Sequence, residues 1–411
     1  MSGSAALVSG ATSGTATAAP PTIEDFFRKP AYGSPQSSPS GRYLAVIAPV
    51  GERLGLGVIG LDDKSVVRMK PPADGDVIRV EWIDDERLAV VIGDLQRATG
   101  DAPTPSGLVA VNRDGSDEEL IGDFHLEHER FHRSWSVRLV KPIVGTKGIL
   151  VTALERDILS RDLYRVDTET GAKHLLSFES PGFVQQWIVD FDNVPRAVVT
   201  ADVDADKSAW YVRKSANDPW VKVEETHLGN LTSGPMQFDA SGRILYAWAR
   251  RGGDDRASIY EYTVASGAWK KVVSHPVRDI DADTSVFVDD WVGHRVLGLR
   301  YTDDRTSPAW FDPLYERVQK GVDLALPGMV NVLQHDGDQW LVTSYSDRDP
   351  GDVYLLDGKT MKMQKLLSFE PQIDPRAMAP TKWVRYPARH GLVIPALLTV
   401  PNSAAGKPVP L

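Results

Sequence analysis

The stretch "SIYEYTVASGAWKKV" (258–272) alternates apolar and polar residues, turns at Ser266-Gly267, and alternates again. Two alternating strands joined by a turn with glycine where positive φ is needed make a β-hairpin. The same grammar returns in "DLYRVDTETGAKHLL" (162–176) and "DVYLLDGKTMKMQKLL" (352–367). The aligned tyrosines, Tyr164, Tyr260 and Tyr354, lie 96 and 94 residues apart, about twice a period in the upper forties. One further unit is therefore expected between each pair. "AWYVRKSANDPWVKV" supplies Tyr211 and "PAWFDP" supplies Trp310, while upstream "LVAVNRDGSDEEL" gives Val109 and "LGVIGLDDKSVVRM" gives Val58. The seven anchors are spaced 44 to 55 residues apart.

Each unit also has a first half. "SPSGRYLAVIA" (38–48), "IDDERLAVVIG" (83–93), "FDASGRILYAWA" (238–249) and "HDGDQWLVTSY" (335–345) each place an Asp or Ser turn before an apolar strand. Four short strands in about 45 residues, repeated seven times, predict an all-β fold, a seven-bladed β-propeller. The regular spacing disfavours two stacked β-sandwiches. The sixth unit breaks the pattern: "DPLYERVQKGVDLALPG" (312–328) reads as a helix with Asp312 as N-cap and Pro313 at its first position.

Composition narrows the function classes. The chain has 411 residues, 42% hydrophobic and 25% charged, with formal net charge −10. That balance, with no basic cluster, argues against nucleic acid as a partner. No cysteine is present, so disulfides and thiolate catalysis are excluded. No apolar run approaches the roughly 18 residues of a membrane span. The first residues, "MSGSAALVSGATSGTATAAP", are small and uncharged. "ATA" at Ala16–Ala18 fits a signal-peptidase site, yet a basic n-region and an apolar h-region are missing. A signal-peptide remnant and a plain disordered tail both fit. A periplasmic or secreted location is the expectation, with the cytoplasm as the alternative.

The end of the chain does not fit a closed ring. The seventh unit finishes near Leu367, and "SFEPQIDPRAMAPTK" is a Pro-rich connection. The next run, "VRYPARHGLVIPALLTVP", is strand-like again. Here the residues resemble the prolyl oligopeptidase family of serine peptidases, in which a seven-bladed propeller precedes an α/β-hydrolase domain. "EDFFRKPAYGSPQSSPSGRYLAV" (24–46) looks like that family's entry into the first blade. "VLGLRYTDDRTSPAWFD" with "GVDLALPG" looks like the region before the last blade. "SYSDRDPGDVYLLD" (344–357) is similar to the last blade's first hairpin. "YPARHGLVIPALLTVP" is similar to the aromatic–Ala-Arg-Asp-Gly–Ile-Pro–Leu-Thr-Pro segment that opens the hydrolase domain. His390 stands where the family usually has Asp, in an expected surface turn.

The resemblance implies three regions: a tail over 1–22, the propeller over 23–380, and over 381–411 the opening strands of a hydrolase domain that the chain does not complete. It implies the propeller half of a serine peptidase acting on short peptides, with the ring gating a catalytic domain absent here. No G-x-S-x-G nucleophile elbow occurs, so no Ser-Asp-His triad is assigned and the fragment is expected to be inactive alone. No catalytic, cofactor or metal residue is named. The alternative is a non-catalytic propeller that binds a peptide or protein partner.

"HERFH" (His128–His132) is the strongest rival motif, because H-E-x-x-H on a helix sets two imidazoles around zinc with Glu129 as base. Its flanks, "EELIGDF" and "SWSVRLVKPIVGTKGILVTALE", are strand-like, which favours a solvated loop; His125 and Glu155 are the other conceivable ligands. The pairs Asp62-Asp63, Asp84-Asp85, Asp254-Asp255 and Asp303-Asp304 sit at turns, where Asp binds its own backbone. "DWVGHRV" (290–296) begins like a substrate-amine motif of dipeptidyl-peptidase relatives but has no Glu pair. Arg250-Arg251 reads as a solvated strand end.

Overall fold

The computed structural model describes residues 20–71, 75–95, 104–123, 137–303, 305–336 and 339–402. Seven sheets follow one another along the chain, at residues 33–69, 76–123, 138–175, 184–226, 233–273, 285–310 and 330–368. Each is an antiparallel meander whose strands pair in sequence order. These are the seven blades of a propeller. Among the described residues six blades have four strands; the sixth has three, Ser285–Asp290, Arg295–Thr302 and Thr306–Trp310. Helix Pro313–Ala325 follows the third strand where the other blades form their fourth. Its cap is the one the sequence predicts: Asp312 Oδ1 accepts from Leu314 N at 2.8 Å and Tyr315 N at 3.2 Å.

Burial falls from the middle of each blade to its outer edge, and the residue types follow. The second strand of blade 3, Gly148–Ala153, is buried at every position, and its sequence "GILVTA" carries no charge. A strand covered on both faces reads as a continuous apolar run. The outer strand of blade 1, Val66–Met69, alternates exposed and half-buried positions.

The core is divided among seven clusters, one per blade–blade interface. Leu88, Val90 and Val58 lie between blades 1 and 2; Trp210, Phe238 and Leu245 lie between blades 4 and 5. Helix Pro313–Ala325 contributes Tyr315, Val318 and Val322 to the interface of blades 6 and 7, taking the place of a strand. Tyr315 packs edge-on against Trp340 with ring centroids 4.6 Å apart.

Among the described residues no strand is shared between the first and last blades. The ring closes through side chains and loops: Leu44 and Val46 of blade 1 meet Leu341 and Val353 of blade 7. Ala31 N donates to Phe369 O at 2.7 Å, and Gln372 Nε2 donates to Asp25 O at 3.2 Å.

All seven sequence anchors, Val58, Val109, Tyr164, Tyr211, Tyr260, Trp310 and Tyr354, lie on the third strand of their blades. A bulge against the outer strand falls immediately before Val109, Tyr211, Tyr260 and Tyr354. The repeat is thus kept to the level of register. A second repeat joins the blades. Arg87, the first residue of the second strand of blade 2, and Arg196, the second residue of that of blade 4, reach into the next blade. Arg87 donates from Nε to Thr168 Oγ1 at 3.2 Å and from Nη2 to Thr168 O. Arg196 donates from Nη2 to Gly242 O at 2.9 Å.

Candidate functional site

Four antiparallel strands return the chain to the face it left. The first strand of blade 1 therefore starts, and the fourth strand of blade 7 ends, on the same face of the ring. The turns between second and third strands lie on this terminal face; the turns between first and second strands lie on the remote face. After blade 7, a two-stranded hairpin forms from Thr381–Pro387 and Val393–Thr399. Thr381 N donates to Asp347 Oδ2 at 2.6 Å, in the terminal-face turn of blade 7. The Arg278 guanidinium lies over the Trp383 ring at 5.2 Å. The rest stands out from the ring: Leu392 is 70% exposed, Val393 56% and Leu397 62%. Alternation along Val393–Thr399 is a strand pattern without the second layer that would cover it.

The terminal face carries a cleft of about 470 Å³ between blades 3 and 4. The turn at residues 154–161 supplies Arg156, Asp157 and Ser160; the second and third strands of blade 4 supply Thr200, Asp202, Lys207 and Tyr211; its outer strand supplies Glu225. Arg156 Nε donates to Asp162 Oδ2 at 2.8 Å, and a second bond from Nη2 to Oδ1 completes a bidentate pair. That bond to Asp162 raises the Arg156 pKa further above its ordinary value. Asp162 is buried and accepts from Ser177 Oγ at 3.0 Å. Across the cleft, Lys207 Nζ lies 3.2 Å from Glu225 Oε1. Bonds from Lys222 and then Lys207 hold Glu225 below the usual carboxylate range. A proton-transferring acid needs its pKa raised toward the working pH, and Glu225 is shifted the other way. The arrangement suits binding of polar, charged groups rather than proton transfer. Beside it, a smaller cavity of about 210 Å³ is lined by Ile158, Leu159, Phe183 and Val203 together with the polar Arg161, Gln185, Asp202 and Asp204.

The residues singled out in the sequence are scattered. "HERFH" and His125 lie outside the described residues. Glu155 sits beside Tyr164, whose phenol pKa is raised by burial first and by Glu155 second. Among the described residues no three His, Asp or Glu side chains are grouped to hold a metal. Asp63 Oδ1 accepts from Ser65 N at 2.9 Å, and Asp84 Oδ1 from Glu86 N at 2.8 Å. Asp254 Oδ1 accepts from Arg256 N at 3.1 Å, and Asp303 pairs with His275 and Arg278. Asp304 lies outside the described residues. Arg250 reaches Asp279 at 3.4 Å, and Arg251 lies over Trp269 at 4.6 Å. The cleft was not named from the sequence. Its residues come from two blades, and of them only Tyr211 carried a signal, as a repeat anchor.

No protein-family model matches the chain. Dipeptidyl aminopeptidase BIII of Pseudoxanthomonas mexicana is 24% identical over 407 aligned residues, covering 94% of this chain and 55% of the relative. The chain thus spans about half the length of the curated relative it matches. Among solved structures, a prolyl endopeptidase superposes with TM-score 0.54 at 13% identity, over 92% of this chain and 55% of the other. A puromycin-hydrolyzing peptidase of Mycobacterium tuberculosis superposes with TM-score 0.54 at 11% identity, over 91% and 59%. In sequence and in fold, the chain matches the seven-bladed propeller of prolyl-oligopeptidase-like peptidases.

Proposed function

We propose that this propeller is the access-controlling half of a serine peptidase that acts on short peptides, as an aminopeptidase or oligopeptidase. The observation that carries the reading is the exposed hairpin Thr381–Pro387/Val393–Thr399, whose apolar side chains need a further layer to pack against. It corresponds to the segment "YPARHGLVIPALLTVP" that resembles the start of the hydrolase domain. In this reading 23–380 is the propeller, 381–411 opens the catalytic domain, and that domain seats on the terminal face. The ring excludes folded proteins, and the mixed-charge cleft of blades 3 and 4 adds contacts to a peptide that reaches the catalytic centre. A periplasmic or secreted location accompanies it, supported by "ATA" at Ala16–Ala18.

The test compares two proteins on dipeptidyl and aminoacyl anilides. The 411-residue chain alone should release no aniline, with or without zinc. The product of the same gene carried a further few hundred codons should release it and be inactivated by a fluorophosphonate. Zinc-dependent hydrolysis by the 411-residue chain, lost on Glu129→Gln, would overturn the reading in favour of "HERFH". An extended product that binds peptides but never cleaves them would favour a binding module.

A further inference from the structure

The segment "DWVGHRV" has no role in the peptidase reading, yet its tryptophan makes a contact that a propeller does not require. Trp291 lies in the remote-face turn between the first and second strands of blade 6. Its ring packs against the hydrophobic cluster between blades 3 and 4, which includes Leu150, Val184 and Trp187. The Lys141 ammonium, on the inner strand Arg138–Pro142 of blade 3, sits 3.2 Å from the centroid of the Trp291 ring. Phe191, in the first turn of blade 4, meets Trp291 at 4.5 Å and stacks on His294 at 5.5 Å. In a ring of seven, blades 3 and 6 are not neighbours by either route. Side chains from their inner ends can touch only across the axial channel.

The turn that carries Trp291 is braced. Asp290 Oδ1 accepts from Gly293 N at 2.7 Å. Arg295 grips Asp290 Oδ2 at 3.2 and 2.9 Å and reaches Asp312 at 2.9 Å. The half-buried Lys141 amine over the indole face gains a cation–π attraction while it is protonated and packs against the ring when it is not.

We propose that Trp291 is a crossbar that closes the axial channel at the remote face, so that the channel is a blind well open only toward the chain ends. Nothing can thread through the ring. If the peptidase reading holds, a peptide reaches the catalytic centre from the side of the terminal face and not by way of the far mouth. The crossbar itself depends on the propeller alone, so its test uses the 411-residue chain and no hydrolysis.

Acetylation by an N-hydroxysuccinimide ester at pH 8, with each lysine followed by peptide mass spectrometry, reads the seal directly. Burial drives the Lys141 pKa down to about 7. A reachable Lys141 would then be among the fastest lysines to react, whereas a sealed one is slow despite its nucleophilicity. Lys141 is expected to react at least tenfold more slowly than exposed Lys382. Trp291→Ala should raise its rate at least tenfold, and Trp291→Phe, which keeps a ring, should not. The absence of native cysteine allows a second measurement. Phe191→Cys with Trp291→Cys should be joined by a short bis-maleimide, changing mobility on a denaturing gel. Lys141 reacting as fast as Lys382, no response to Trp291→Ala, or no cross-link would each overturn the crossbar.

Discussion

Arg87 offers the sharpest test of how the blades are joined. It is 2% exposed and donates to four acceptors: Thr168 Oγ1, Thr168 O, Asn112 Oδ1 at 2.9 Å and Asp117 O at 2.9 Å. Thr168 belongs to the blade 3 turn and the other two to blade 2, so one guanidinium ties two blades. None of these acceptors is a carboxylate. Arg87→Ala leaves two backbone carbonyls and an amide oxygen without their donor and opens a cavity the size of the side chain. Each buried acceptor left without a donor costs about 1–3 kcal/mol, partly offset by relaxation and water entry, so a total of about 3–5 kcal/mol is expected. For a domain of this length, 1 kcal/mol lowers Tm by about 2 °C, so the expected drop is about 6–10 °C. Arg87→Lys should recover less than half of it, because an ammonium cannot span the fork that meets Thr168 and Asp117 together. Differential scanning calorimetry of the three proteins at one concentration and pH is the assay. A drop below about 2 °C for Arg87→Ala, or full recovery by lysine, would refute the account of Arg87 as an inter-blade tie.

Further expectations are as direct. Deleting residues 381–411 removes the Thr381–Asp347 hydrogen bond, the bonds from Asn402 to Ala377 O and Met378 O, and the Arg278–Trp383 contact, all at the exposed edge, so Tm should move by no more than about 4 °C, with amides of Val393–Thr399 exchanging far faster than those of the blades. A large drop in Tm would make the hairpin part of the ring. Gly298→Ala would set a Cβ 2.5 Å from Ala309 O and 2.8 Å from Trp310 Cε3, and overpacking against backbone should cost about 2–3 kcal/mol in urea unfolding. Asp312→Ala removes a cap and a partner of Arg295, and a loss of about 1–2 kcal/mol is expected in the same measurement.

The repeat was legible because a blade is a local object. Its strands pair with their sequence neighbours, so turn residues and alternation carry the pattern. Tyr260 could therefore be aligned by its hairpin and Tyr211 by the spacing that hairpin set, and they share a bulge in the structure. Helix Pro313–Ala325 was legible for a similar reason: a cap needs only Asp312 and Pro313 in adjacent positions. The missing outer strand of blade 6 was not legible. Helix and strand there bury comparable apolar residues, and only packing decides that Tyr315 and Val318 fill the place of a strand. The mixed-charge cleft and the Trp291 contact were hidden for a deeper reason. Arg156 and Lys207 are drawn together from separate blades, and Trp291 reaches Lys141 across the channel from a distant part of the chain. No short window of sequence contains both partners.

The side-chain seam between blades 1 and 7 bears on how the molecule is made. Every sheet is a single run of chain, so each can assemble as synthesis delivers it and can use its predecessor as a template. Only the joint of Leu44 and Val46 with Leu341 and Val353 must wait for the last blade. That joint spans about 300 residues rather than about 45, a difference in loop-closure entropy of only about 1.7 kcal/mol. The delay is thus one of timing and not of thermodynamic burden. Until the seventh sheet arrives, the growing arc exposes the apolar flank of blade 1, which is where a chaperone or an aggregation partner would find it.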